Sequence, residues 1–95
     1  MTVSDFAQVL LLLQREGARI KNAEYAWKSF GSWCIEFRKG ESLLRVVWDG
    51  KEGWLVLQQL NSDTDSQSVE WTDLWVAKEA KDQNPDHFLQ RISTL

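Results

Sequence analysis

One cysteine and one histidine are all the soft metal-ligating side chains that this 95-residue chain contains, and they stand 53 positions apart as Cys34 and His87. An intrachain disulfide is therefore excluded, and a zinc site, which needs three or four ligands, has no framework. No apolar run approaches the roughly 20 residues of a membrane span: Phe6–Leu13 is the longest, and no basic region or small-residue cleavage site precedes it. Glycine motifs for nucleotides, a Gly-x-Ser-x-Gly elbow and a His-Glu-x-x-His string are all missing. A Lys/Arg cluster is missing too, so a nucleic-acid backbone has no electrostatic footprint to bind. These absences point to a cytoplasmic protein without a cofactor, and to neither a membrane nor a nucleic-acid partner.

What is abundant is tryptophan. Six Trp and four Phe accompany a hydrophobic fraction of 43% and a charged fraction of 26%, an ordinary globular balance. A single domain over 1–95 is expected. A chain of this size buries only about 60–65% of its unfolded surface, so large side chains must make its core. Net charge is −3 and unevenly spread: residues 1–50 hold seven Lys/Arg against six Asp/Glu, residues 51–95 four against eight.

Thr2 or Ser4 can cap a first helix over about 3–16, with Asp5 at the positive end of its dipole and Gly17 at C′. Val3, Phe6, Leu10 and Leu13 fall on its apolar face, widened by Val9, Leu11 and Leu12. From Ala18 to Phe30 the apolar residues Ile20, Tyr25, Trp27 and Phe30 fit neither period, which predicts an irregular connection. Trp33, Ile35 and Phe37 then alternate with polar positions, a period-two strand. Ser42–Asp49 is a second strand with Leu44, Val46 and Trp48 on one side. Asp49-Gly50 is read as a turn tolerant of positive φ, with Gly53 closing the loop before a third strand, Trp54–Leu60.

Residues 61–68 are polar throughout and read as a solvated loop. Residues 69–81 suit either period; their Val-Glu-Trp-Thr start favours a strand, while Ala77 to Lys81 is good helix chemistry. Asn84-Pro85-Asp86 starts a final helix, with Phe88, Leu89, Ile92 and Leu95 as its stripe. The fold class is α+β: a small antiparallel sheet of three to four strands with an N-terminal and a C-terminal helix packed on it.

Three functional readings compete. Asp63, Asp65, Glu70 and Asp73 cluster in sequence, yet Asp63-Thr64-Asp65 lacks the glycine and third acidic ligand of a calcium loop. An unopposed acidic stretch of this kind suits docking to a basic protein, with charge steering the encounter and aromatic anchors carrying the energy. Trp71 and Trp75 follow it and Trp54 starts the strand before it, whereas Trp33 and Trp48 lie on the core register. The second reading is a small hydrolase using Cys34 or a Glu36–His87 pair. The third is an assembly subunit that associates through a sheet edge, so monomer and homodimer both stay open.

In architecture and character the chain resembles the bacterial immunity proteins that neutralise polymorphic or contact-delivered toxins. The features concerned are the helix Phe6–Leu13, the strands Trp33–Phe37 and Trp54–Leu57, the Glu70-Trp71 segment and the helix Pro85–Ile92. The resemblance implies no catalytic residues. It implies an inhibitor that occludes a toxin's active or substrate-binding surface but assigns no position residue by residue; the acidic stretch itself points to Asp63, Asp65, Glu70 and Asp73 for charge and to Trp71 or Trp75 as the anchor, with Trp54 as a further contact.

Overall fold

Thr2 caps the first helix, α1 (Val3–Arg15), in a reciprocal capping box: its Oγ1 accepts from the Asp5 amide, and the Asp5 carboxylate accepts from the Thr2 amide at 2.7 Å. Gly17, at φ +84°, ends it; the Ala18 amide donates to the Leu13 carbonyl and the Gly17 amide to that of Gln14, a Schellman closure. These geometries come from a computed structural model that describes residues 2–26, 28–61 and 70–93. Trp27, the 62–68 part of the polar loop with Asp63 and Asp65, and Leu95 lie outside the described residues.

Five strands follow: β1 (Arg19–Ala26), β2 (Ser32–Lys39), β3 (Ser42–Asp49), β4 (Trp54–Asn61) and β5 (Glu70–Ala77). They form one antiparallel sheet in sequence order β1-β2-β3-β4-β5. A short 3-10 turn (Ala80–Asp82) leads to α2 (Pro85–Ser93), whose start is held by Asn84 Oδ1 accepting from the Asp86 amide at 2.8 Å. The helix chemistry expected at Ala77 to Lys81 thus yields a single turn behind a strand.

Two expectations need correction, and both have one cause. The sheet has five strands rather than three to four, because residues 19–26, read as irregular, form β1. Its register jumps at Lys21: Ile20 pairs with Phe37 but Asn22 with Glu36. This bulge sets the inward Ile20 and Ala23 three residues apart and Ala23 and Tyr25 two apart, so no single period survives. β5 carries the matching defect at Leu74, between the Leu57–Trp75 and Gln58–Asp73 pairs, which is why its sequence suited a helix equally well. Both bulges lie in edge strands, where they disrupt the ladder a further strand would need.

The core lies on one side of the sheet. Trp33, Ile35 and Phe37 of β2, Leu44, Val46 and Trp48 of β3, Leu55 and Leu57 of β4 and Ala77 of β5 are buried with Val9 and Leu13 of α1 and Phe88 and Ile92 of α2. The helices therefore cover the same face. In α1 the working stripe is Phe6, Val9, Leu10 and Leu13; Val3, expected on it, is 55% exposed because it begins the helix beyond the sheet-facing turn. Trp33 and Trp48, directly paired across β2 and β3, are 2% and 7% exposed, and Phe6 meets Trp33 in a tilted ring contact at 5.4 Å. No buried polar residue interrupts this core among the described residues.

The turn between β3 and β4 also differs from expectation. Positive φ is found at Gly53 (+74°) and not at Gly50. Asp49 shapes the loop instead, its Oδ1 accepting from the Lys51 and Glu52 amides at 3.0 and 3.1 Å. Gln83 Nε2 ties the segment before α2 back to this loop by donating to the Gly53 carbonyl at 2.6 Å.

Candidate functional site: the uncovered face of the sheet

Alternation sends every second side chain of the sheet away from the helices. Cross-strand pairing arranges these into four rows. One holds Ala26, Ser32, Asp49 and Trp54; the next Glu24, Cys34, Val47, Val56 and Val76; the third Asn22, Glu36, Arg45, Gln58 and Asp73; the last Arg19, Arg38, Leu43, Leu60 and Trp71. Nothing among the described residues covers them, yet Val47, Val56, Leu43 and Leu60 are half-buried because neighbours on adjacent strands pack side by side.

Polar groups on this face are wired together. Arg45 lies over the Trp71 ring, its guanidinium carbon 4.1 Å from the centroid. Its Nε donates to Gln58 Oε1, and Gln58 Nε2 donates to Asp73 Oδ1 at 2.7 Å, so one chain of contacts runs across β3, β4 and β5. Lys78 covers Trp54 likewise, Nζ to ring at 4.5 Å. Each of these half-buried tryptophans is thus already capped by a cation.

Three of the predicted partner-binding residues lie on this face: Trp71 and Asp73 in adjacent rows, and Trp54 at the opposite end of β4. Glu70, at the start of β5, is exposed at the end of the sheet beside Asn61. Trp75 is elsewhere; it pairs with Leu57 on the helix side and packs against Phe88 at 6.2 Å. The bulge at Leu74 separates it from Trp71. Asp63 and Asp65 lie outside the described residues. Asp73 is not unopposed, since Gln58 donates to it, and the face balances Glu24, Glu36, Asp49 and Asp73 against Arg19, Arg38, Arg45 and Lys78.

Sequence reasoning missed Arg45 and Gln58. Arg45 did carry a signal, a charge between Leu43 and Val47 on the alternate register of an otherwise apolar strand.

A shallow hollow of about 360 Å³ lies toward the β1 side, lined by Glu24, Ala26, Ser32, Cys34, Val47 and Asp49 among others. Burial pushes the Cys34 thiol above its ordinary value; Arg45 opposes the rise, and Glu36 and Glu24 add to it. At neutral pH the sulfur is a protonated thiol and a poor nucleophile. His87 is exposed on α2 beside Trp75, Asp82, Gln90 and Arg91, on the helix side. The sheet separates it from both Cys34 and Glu36, so the Glu36–His87 pair considered for a hydrolase is not assembled and His87 does not stand beside the Cys34 thiol.

Among the described residues no three His, Cys, Asp or Glu side chains converge as metal ligands, and no helix is long and apolar enough to cross a membrane. Comparison with family models, with curated proteins and with solved structures gives no match. The chain is thus characterised by its architecture: an α+β protein with an N-terminal helix, a five-stranded antiparallel open sheet and a short C-terminal helix.

Proposed function

We propose that this chain is a protein-binding module of the immunity type, which neutralises a cognate bacterial toxin by covering its active or substrate-binding surface. The observation that carries the reading is that Trp54, Trp71 and Asp73, from two strands, share one sheet face that no described residue covers, Trp71 and Asp73 as neighbours toward one end and Trp54 at the other. Five strands spaced about 4.8 Å apart and eight residues long present roughly 600 Å² in projection, close to the ~800 Å² per partner of a standard interface. Tryptophan and arginine are the side chains in which binding energy concentrates, and here they stand side by side in a patch rimmed by charge.

The overall charge of −3 and the exposed Glu70 favour a basic toxin domain, with long-range attraction raising the encounter rate. Close in, the balance of charges on the face makes specificity a matter of individual pairs and aromatic fit. The inhibitor performs no chemistry in this reading. Lys/Arg side chains that the toxin uses for its own substrate are occupied, and the sheet excludes that substrate by bulk.

The test is to express the product of the adjacent reading frame with and without this chain. Rescue of growth, and a complex between the two purified proteins, is the expected result. Trp71→Ala with Asp73→Lys should weaken that complex at least about tenfold while also losing the stabilising contacts to Arg45 and Gln58, and Asp63→Lys with Asp65→Lys should weaken it through charge with nearly unchanged thermal stability. A harmless neighbour, or unchanged affinity in both double variants, overturns the reading.

A further inference from the structure

Phe30 occupies a position that neither local conformation nor burial accounts for. The Ser32 amide donates to the Ser29 carbonyl at 3.0 Å, and the two residues between, Phe30 and Gly31, both have positive φ, +59° and +70°. That is the turn in which asparagine, aspartate and glycine are favoured, and a bulky side chain is strained. Strain of this kind is ordinarily offset by packing, yet the Phe30 side chain is 70% exposed.

The turn is nevertheless clamped. The Gly50 backbone approaches so closely that a Cβ there would fall 2.0 Å from the Phe30 carbonyl oxygen, and the Gly50 amide donates to Ser32 Oγ at 2.9 Å. Ser29 adds a further turn by donating to the Ala26 carbonyl at 3.0 Å. Ala26 and Ser32 belong to the first row of the uncovered face, so the clamped turn continues that face.

We infer that Phe30 is a preorganised anchor: the turn holds its ring out at the end of the sheet face, to enter an apolar cavity of phenyl size on the partner protein. Holding the ring in place beforehand removes the ordering entropy that a flexible loop would lose on binding. Strain held at an exposed side chain is the signature of a site kept for contact rather than stability. The inference rests on the binding function proposed above and names its anchor. A protein is favoured over a lipid surface, because the chain carries a charge of −3 and the two turns that meet here match Lys28 and Lys51 with Asp49 and Glu52, so a single exposed aromatic has no polybasic patch to hold it to anionic headgroups.

The experiment compares wild type, Phe30→Asn, Phe30→Tyr and Trp71→Ala, with the purified product of the adjacent reading frame as probe. Phe30→Asn suits the turn, so its melting temperature should rise by about 4 °C while affinity for the probe falls at least about tenfold; Phe30→Tyr should retain affinity. Affinity of Phe30→Asn within about twofold of wild type, with Trp71→Ala impaired, overturns the anchor and leaves the sheet-face reading standing. A lowered melting temperature for Phe30→Asn overturns it by making the ring structural. Failure of wild type itself to bind removes the function and the anchor together. Phe30-dependent sedimentation of wild type with anionic vesicles overturns the choice of a protein partner.

Discussion

Gly50 leaves its side-chain space to the backbone of Phe30: a Cβ on Gly50 would lie 2.0 Å from the Phe30 carbonyl oxygen and 2.8 Å from its carbon. The obstacle is main chain, so it cannot rotate away as a flexible side chain could. Gly50→Ala should therefore destabilise by about 3 kcal/mol or more, in the range of overpacked interiors. Gly40 provides the contrast. It has φ +62° with open space around its Cβ position, so Gly40→Ala should cost only the left-handed penalty of about 1 kcal/mol. Urea denaturation of the two variants measures the difference, and equal midpoints would contradict the clamp.

The same pair explains what was legible in the sequence. Asp49-Gly50 announced a turn correctly, but the conformational reason for its glycine was misplaced, because the reason is a neighbour 20 positions away. Period-two alternation made β2, β3 and β4 readable, since each is flanked by strands on both sides and none is bulged. β1 and β5 were obscured because one extra residue, Lys21 or Leu74, breaks the alternation in each edge strand. That one-residue break also decided the candidate site. Trp71 and Trp75 are four apart, even in number, and would share a face in a regular strand; Leu74 sends them to opposite sides.

Trp33 contains the one described buried side-chain polar atom without a partner, its indole Nε1. An unsatisfied buried donor costs roughly 1–3 kcal/mol, while the ring around it packs against Phe6 and the paired Trp48. Trp33→Phe removes the donor and leaves most of the ring, so loss of packing and relief of desolvation oppose each other. Its net effect should be within about 1 kcal/mol, against roughly 3–5 kcal/mol for Trp33→Ala. Thermal melts of both variants are the measurement. A large loss from Trp33→Phe would mean the indole nitrogen is satisfied in solution.

Burial raises the Cys34 thiol above its ordinary 9.0, a rise that Arg45 opposes and Glu36 and Glu24 reinforce. Above pH 9 the unfolded chain then loses this proton before the folded one does. The folded state binds more protons in that window, so stability contributed at Cys34 is complete below about pH 9 and is lost as pH climbs toward the folded value. Cys34→Ala should flatten the alkaline decline of the melting temperature. At neutral pH, iodoacetamide should modify native Cys34 more slowly than the unfolded chain, and Arg45→Gln should slow it further by removing the opposing charge. Faster alkylation in the native state would reverse the sign.

Arg45 makes two contacts toward the same edge of the sheet, a stack on Trp71 of β5 and a hydrogen bond to Gln58 of β4, which itself donates to Asp73. A cation over an indole at a partly exposed site is worth about 0.5–1 kcal/mol, and a hydrogen bond from a charged group about 1.5–3 kcal/mol net of its exchange with water. Because β5 is a bulged edge strand, these side-chain links supply fastening that its backbone ladder lacks at Leu74. Double-mutant cycles can separate the two. Arg45→Ala with Trp71→Ala should give a coupling of about 0.5–1 kcal/mol, and Arg45→Ala with Asp73→Ala a smaller one, since Gln58 mediates it. Hydrogen exchange gives an independent reading: amides of β5 near Asp73 should lose protection in Arg45→Ala, while those of β2 and β3 should not. A zero coupling to Trp71, with unchanged exchange, would show that the stack is incidental and that the ring is as available to a partner as bare exposure suggests.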